Sequence, residues 1–372
     1  MASIGVLITG GGSGGHIYPL IAVRRKLPEQ VDVRYFGSPG PYADELKDNR
    51  IRITRITSSK FRRYFSMQNI FDVFKFGWSI LEALWKIFWF MPNVAFSKGG
   101  PGALVVVLVC RFYRIPVVIH ESDSILGRTN YISAKYAQLV ELGFSAAEAS
   151  LPKTRAAIKT VGNPIRDEIL IAHNENSARE LFGFSRDLPV LFFLGGSQGA
   201  AVFNDFVLAN LDELLEKFQL IHQVGSDNFN EYKSSFELLM RDASPTKKDR
   251  YRFYQFLGAN IGDAFDAAEV IISRAGGAIF EIAAKGKPAI LIPLPADVVG
   301  EHQLKNAYIY QESGAAVVIE QENLLRSVFI RQVERIVQES GMRAAMSQAA
   351  KAFAKPEAAQ MIAADIMSFT NA

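Results

Sequence analysis

The sequence predicts a doubly wound α/β fold, with two Rossmann-like domains whose parallel sheets face each other across a cleft. Three observations support that reading. Short apolar runs alternate with helix-length segments along all 372 residues. Several runs lack polar alternation, as strands buried on both faces of a parallel sheet should. The two halves also carry glycine turns at matching places, beginning at Gly10 and Gly195.

The first half holds strand-like runs at 4–10, 31–36, 94–97, 116–120 and 139–144. The second holds them at 189–195, 220–225, 252–257, 270–273, 289–293 and 315–319. Strands that alternate with helices in this way form doubly wound sheets. Gly10-Gly11-Gly12-Ser13-Gly14-Gly15-His16 follows the first run and opens a helical segment, and Gly195-Gly196-Ser197-Gln198-Gly199-Ala200 does the same after 190–194. A third turn, Ser273-Arg274-Ala275-Gly276-Gly277, precedes helical 279–285. Asn163-Pro164 disfavours a helix running through it, which sets the predicted boundary between domains at 1–162 and 163–351. The Ala-rich end from about 352 is expected to pack back on the first domain.

Composition narrows the class. With 49% apolar and 21% charged residues the chain is neither disordered nor a coiled coil nor a fibrous repeat. Its single cysteine, Cys110, excludes an internal disulfide framework and a Cys-cluster zinc site, and fits a reducing compartment. A net charge of +3 gives no reason to expect nucleic acid as a partner. The apolar run that starts at Ile4 leaves no room for the charged start of a signal peptide, so the protein is expected to stay where it is made.

A glycine-rich turn that opens a helix presents free backbone N–H groups at the positive end of the helix dipole, where a diphosphate can approach unobstructed. One such turn can be a plain strand-to-helix connection; three at the carboxyl ends of parallel strands point to phosphate binding. The first turn lacks the Gly-x-Gly-x-x-Gly spacing and acidic ribose ligand of a dinucleotide site, and no Lys-Ser/Thr ending marks a P-loop. His16 sits at the start of the helix, where the dipole favours its neutral form, so it is either a general base or a packing residue. The five histidines show no metal-ligand spacing. No catalytic metal or cofactor is expected.

An ordered set of motifs resembles the MurG family of peptidoglycan glycosyltransferases. The set runs from Gly11-Gly12-Ser13-Gly14-Gly15-His16-Ile17-Tyr18-Pro19 through Ser97-Lys98-Gly99-Gly100, Ile119-His120-Glu121 and Val161-Gly162-Asn163-Pro164-Ile165-Arg166. It continues with the Gly195 turn, Ser273-Arg274-Ala275-Gly276, Glu281-Ile282-Ala283-Ala284 and His302-Gln303-Leu304-Lys305-Asn306-Ala307. The resemblance implies a GT-B fold, with the UDP-sugar held mainly by the second domain and the acceptor by the first, and inverting transfer of N-acetylglucosamine from UDP-N-acetylglucosamine to the polyprenyl-diphosphate-linked acceptor lipid I, giving lipid II without a metal. By similarity, Glu281 would bond the ribose and Gln303 the sugar. Ser197, Gln198 and Gly199 would hold the diphosphate, with Arg166 near the nucleotide. A backbone group at Leu257 would read the uracil, and Gly277, Ala278, Ile279 and Phe280 would line the donor site. His16 would be the base, with Ser13, Gly14, Gly15 and Asp123 on the acceptor side.

Three departures mark this chain. Asp123 stands where many relatives carry Asn, six residues rather than seven separate Arg274 from Glu281, and Gly99-Gly100-Pro101-Gly102 replaces an aromatic-containing stretch. A related transferase with a different lipid acceptor, a UDP-sugar epimerase of the same fold and a non-catalytic nucleotide-sugar-binding protein are the competing readings.

Residues 68–90 read as an apolar helix with one narrow polar stripe: Gln68, Asp72, Lys75, Ser79, Glu82 and Lys86. Its four charges argue against a membrane span. Upstream, 46–66 holds seven basic residues against one acidic, beside Phe61, Tyr64 and Phe65. Such a segment suits an anionic membrane surface, and equally a solvated face over a buried helix. With a polyprenyl acceptor the resemblance implies peripheral attachment at the cytoplasmic face of the membrane. Phe88, Trp89 and Phe90 are the predicted lipid contacts.

Overall fold

Among residues 4–57 and 68–370, which the computed structural model describes, thirteen strands form two wholly parallel sheets. The first contains β1 (Gly5–Thr9), β2 (Asp32–Gly37), β3 (Arg52–Arg55), β4 (Val94–Ser97), β5 (Val117–Glu121), β6 (Leu139–Leu142) and β7 (Ala157–Thr160), in the order β3-β2-β1-β4-β5-β6-β7. The second contains β8 (Val190–Leu194), β9 (Gln219–Gln223), β10 (Tyr251–Tyr254), β11 (Val270–Ser273), β12 (Ala289–Leu291) and β13 (Ala316–Val318), in the order β10-β9-β8-β11-β12-β13. Strand order reverses beside β1 in one sheet and beside β8 in the other. Open parallel sheets bind ligands at such reversals, outside the carboxyl ends of the strands. All eleven strand-like runs of the sequence are strands.

β3 and β7 were not foreseen. Both are sheet edges, each bonded to one neighbour, and β7 is exposed throughout. Edge strands need no apolar run, so Arg52 and Arg55 at the ends of β3 hide it from a hydrophobicity reading.

The chain divides into two compact units, Met1–Arg166 with Lys355–Ala372, and Asp167–Ala354. In the first, alternate residues of each strand bury on opposite faces. Val6, Ile8, Val33, Tyr35 and Phe96 pack with α1 (Gly14–Lys26), while Leu7, Phe36, Ala95, Val117 and Ile119 pack on the other side with α2 (Gln68–Phe90) and α3 (Ala103–Phe112). The second unit is built likewise around Leu191, Phe193, Leu220 and Ile272, with α4 (Ala201–Ala209) covering one face and α5 (Ala278–Lys285) and α6 (His302–Glu312) following β11 and β12. The last helix, α7 (Ala358–Ser368), packs on α1, with Ile362, Ala363 and Ile366 in the first unit's core.

Of the polar stripe of α2, Ser79, Glu82 and Lys86 face the protein, while Lys75 is exposed. Ser79 is fully buried, Glu82 Oε2 accepts the Thr57 N–H at 2.8 Å, and Lys86 Nζ donates to the Arg55 carbonyl at 2.7 Å and to Glu82. These bonds clip the helix to the strand segment at β3. Ala83 and Ile87 are buried beside Glu82 and Lys86, and one apolar flank faces outward: Trp78, Leu81, Trp85, Phe88 and Trp89 are 51–69% exposed. That outcome excludes a buried helix. Phe90 departs from the expected lipid contacts, because its ring stacks on Phe36 at 5.8 Å and under the Arg34 guanidinium at 4.2 Å. Phe61, Tyr64, Phe65, Lys60, Arg62 and Arg63 lie outside the described residues.

Candidate active site

In the first unit the site grows from the turn between β1 and α1. Ser13 is the extended N-cap, and its carbonyl accepts the N–H groups of His16 and Ile17, each at 3.0 Å. Those bonds leave the Gly14 and Gly15 amides as the donors this helix end offers to an anion. The Ser13 hydroxyl meets His16 Nδ1 at 2.9 Å. With Nδ1–H donating to Ser13, Nε2 becomes the proton acceptor. Behind this turn lies the loop after β4. Gly100 has φ +88°, and a Cβ there would stand 2.8 Å from the Gly11 nitrogen and 3.3 Å from His16 Cε1, so only glycine lets the two loops meet.

His16 is pushed down to about 4, first by burial and then by the charge of Lys98. The imidazole is therefore neutral at pH 7, the state a base requires. Burial and a neighbouring ammonium, rather than the helix dipole expected from the sequence, are the causes in the structure.

Lys98 was part of a motif without a role of its own, and it is the buried centre of this side. It is 2% exposed, and its Nζ lies 2.7 Å from His120 Nδ1 and 2.5 Å from Ser122 Oγ. His120 Nε2 meets the Gly162 carbonyl at 2.8 Å, which fixes the Nε2–H tautomer and leaves Nδ1 to accept from Lys98. Burial holds His120 well below its usual range. Glu121 then ties down the loop that follows β5, since Oε1 accepts the Asp123 N–H at 3.0 Å while Oε2 accepts from Gly127 N and Asn130 Nδ2, both at 2.9 Å. Asp123 itself is half-buried. One unit thus brings together Ser13, Gly14, Gly15, His16 and the Lys98 cluster that fixes Asp123.

In the second unit, the turn from β8 to α4 is set by Gly199, whose φ is +83° and whose Cβ would fall 1.9 Å from the Val224 carbonyl oxygen. Gln198 is exposed, and Ser197 half-buried. Gln223, at the end of β9, went unnoticed in the sequence. Its Nε2 donates to the Gly196 carbonyl at 2.7 Å and its Oε1 accepts the Leu257 N–H at 2.9 Å, clamping the turn to the loop after β10. A ligand at Leu257 would therefore meet its carbonyl rather than its amide.

In the turn from β11 to α5, Ile279 and Phe280 are buried, Phe280 against Phe353, and their N–H groups bond to the Gly276 and Gly277 carbonyls at 3.1 and 3.2 Å. The side chains and amides of both residues are thus engaged within the unit. Gly277, Ala278 and the half-buried Glu281 are the accessible groups of this run. Arg274 Nη1 donates to the Ile292 and Pro293 carbonyls at 2.9 and 3.3 Å, joining this turn to the loop after β12. In that same loop the Leu294 N–H donates to Gln303 Oε1 at 3.1 Å, leaving the Gln303 Nε2 donors for a ligand. The ends of β8, β11 and β12 thus gather Ser197, Gln198, Gly199, Glu281 and Gln303 in one unit. Arg166 closes the other unit, its guanidinium 5.1 Å over the Tyr18 ring of α1.

Two Rossmann-like units, each with a glycine turn at its strand-order reversal, define a GT-B protein. Residues 6–141 match the glycosyltransferase family 28 N-terminal domain and 190–362 its C-terminal domain. The chain is 35% identical over 340 residues to a UDP-N-acetylglucosamine–N-acetylmuramyl-(pentapeptide) pyrophosphoryl-undecaprenol N-acetylglucosamine transferase of Bacillus cereus, covering 91% of this chain and 92% of that protein. To the transferase of that name from Clostridium tetani it is 32% identical over 328 residues, 87% of each chain. The crystal structure of Acinetobacter baumannii MurG shares the fold, with a TM-score of 0.73 at 24% identity over 98% of this chain and 99% of that one. The chain belongs to glycosyltransferase family 28 and, within it, to the MurG family.

Proposed function

We propose that this protein transfers N-acetylglucosamine from UDP-N-acetylglucosamine to undecaprenyl-pyrophosphoryl-N-acetylmuramyl-pentapeptide, making lipid II for peptidoglycan. The observation that carries the reading furthest is the neutral His16 set beside the Gly14 and Gly15 amides, in a chain whose relatives bear the name of that reaction. The acceptor diphosphate binds those amides, and His16 Nε2 takes the proton of the attacking hydroxyl. The acceptor oxygen forms its bond to the anomeric carbon as the bond to the UDP oxygen breaks, inverting that carbon. UDP leaves with the electron pair.

In the second unit, the Gly195 turn with Ser197, Gln198 and Gly199 holds the UDP diphosphate. Fixed amide dipoles aimed at the leaving oxygens act where charge develops. Glu281 accepts from the ribose hydroxyls and Gln303 Nε2 donates to the sugar. The outward apolar side of α2, with Trp85, Phe88 and Trp89, seats the protein on the anionic cytoplasmic face of the membrane. Among the described residues, no helix is long and apolar enough to cross a membrane, so attachment would be peripheral.

The test is transfer of labelled N-acetylglucosamine to a short-chain lipid I analogue, with and without chelator. Chelator-resistant labelled product is the expected result. No product, with UDP-N-acetylglucosamine still bound, would move the acceptor to another lipid. Asp123 is the residue that favours this second reading, since it adds a carboxylate where an anionic acceptor must sit.

A further inference from the structure

The first unit holds a cavity of about 510 Å³ at the end of its sheet away from the glycine turn. The last turn of α1, the loop that follows it, the amino end of β2 and the start of β3 enclose it. His16 and Arg24 lie about 12 Å apart along α1, so the cavity stands apart from the residues proposed for transfer.

Four cations line it, Arg24, Lys47, Arg50 and Arg52, against two acids, Glu29 and Asp32. Both acids are already engaged. Glu29 Oε1 meets Arg50 Nη1 at 3.2 Å in an exposed pair, and Asp32 Oδ2 accepts from Arg34 Nη2 at 2.8 Å with Arg52 3.7 Å away. Arg24 is left without a carboxylate. It is 7% exposed, its Nη1 makes a long 3.4 Å bond to the Leu27 carbonyl, and its buried Nε has no hydrogen-bond partner in the protein. Burial and then the charge of Arg50 hold it below the usual arginine range, and Glu29 opposes them less. Basic residues suit the last turn of a helix, where the dipole is negative. Arg25 and Lys26 already fill that part, whereas a buried arginine with an idle Nε–H needs another reason.

Arg50 adds a second sign. Its φ of +57° lies in the left-handed region that favours glycine, just beyond the short helix Ala43–Asp48. Its N–H bonds to the Lys47 carbonyl at 2.8 Å, and that of Ile51 to the Leu46 carbonyl at 3.0 Å, which hold it there. Glycine would end the helix with less strain, yet a guanidinium stands at this place and lines the cavity. Two guanidiniums gathered at partial burial attract a multiply charged oxyanion, and their planar forks bond its oxygens in pairs. The volume admits a phosphate that carries a small polar group. The cavity also adjoins the apolar flank of α2, since Arg34, held by Asp32, lies 4.2 Å over the Phe90 ring at the end of that helix.

We propose that this cavity is a phosphate-ester site, with Arg24 as its central ligand and Lys47 and Arg50 at its rim. A lipid headgroup and a soluble phosphate ester offer the same oxygens to these three cations. The inference stands apart from the sugar donor and the acceptor assigned above.

The test is a titration of the isotope-labelled full chain with glycerol phosphate and with inorganic phosphate, read at the Arg24 Nε–H and the amides of Arg50, Ile51 and Arg52. Saturable shifts are expected, and Arg50→Gly should raise the Kd about tenfold while raising the melting temperature of the unliganded chain. A second arm measures partition onto phosphatidylglycerol vesicles, with phosphatidylcholine vesicles as reference. Arg24→Met should lower it about tenfold on the anionic vesicles, well beyond Arg111→Gln, which removes an exposed charge of α3. Lost partition without a shift by the soluble probes identifies a lipid headgroup, and saturable shifts with unaltered partition identify a soluble ester. Should Arg24→Met fail to fold, Lys47→Gln and Arg50→Gly, both at exposed residues, take its place. Shifts that never saturate, together with variants that partition like Arg111→Gln, overturn the proposal, as does saturable binding that Arg50→Gly leaves unchanged.

Discussion

His16 and Glu281 stand at equivalent places, each in the first turn of the helix that follows a glycine turn, yet the tasks proposed for them differ. Burial and Lys98 keep His16 unprotonated down to about pH 4, far below an ordinary imidazole. Protonation destroys a base, and its folded value is depressed, so the activity that depends on His16 should persist as pH falls past 6.5 and be lost only near 4. A rate profile whose acid limb instead lies near 6.5 would show another group titrating. His16→Ala should lower kcat by about 10²–10⁴ and leave the UDP-N-acetylglucosamine KM intact. Glu281→Ala should do the reverse, raising the donor KM with a smaller effect on kcat, and an unaltered donor KM would remove it from the ribose. The placing of these two residues was legible because each lies within a few residues of its glycine turn. Lys98 and Gln223 were not, because what they do depends on partners brought in by other strands: His120 and Ser122 for the first, Gly196 and Leu257 for the second. The one local sign was a polar side chain standing at the carboxyl end of an apolar strand.

Elements were legible where burial on both faces leaves a continuous apolar run, and they were lost where an edge strand bonds to a single neighbour, as in β3 and β7. In α2 the periodicity located the stripe but not the direction it faces. A stripe of Ser79, Glu82 and Lys86 reads as a solvent face until the Thr57 amide and the Arg55 carbonyl are known to need partners. Satisfying them turns the helix over and leaves Trp78, Trp85, Phe88 and Trp89 outside. Exposed apolar area on that scale marks an interaction surface. Changing Trp85, Phe88 and Trp89 together to Ser should weaken partition onto vesicles of anionic lipid and leave the melting temperature nearly constant, since those rings lose little burial. Phe90→Ser should behave oppositely, costing about 3 kcal/mol or more of stability by emptying the space between Phe36 and Arg34, with the exposed rings still able to bind vesicles. If all four positions affect vesicle binding alike, the surface is drawn wrongly.

At the scale of the whole molecule, each unit owns its core, and the chain crosses between them twice, at Arg166/Asp167 and at Ala354/Lys355. The second crossing returns α7 to the first unit, where Ile362 and Ile366 are fully buried against the sheet and α1. Burying an isoleucine contributes about 1.5–3 kcal/mol, so the pair accounts for a large share of a domain stability of about 5–15 kcal/mol. Two independent cores should not unfold as one two-state unit. With the donor site proposed above, UDP-N-acetylglucosamine would stabilise the second unit by about 2.7 kcal/mol at one hundred times its Kd. Calorimetry should therefore resolve two transitions, of which the nucleotide sugar raises one. Deleting Lys355–Ala372 should lower the other by many degrees, or abolish it, while the nucleotide-responsive transition stays where it was. If the deletion and the nucleotide sugar instead move one common transition, the two cores are energetically joined, and the donor and acceptor halves cannot be treated as separate folding units.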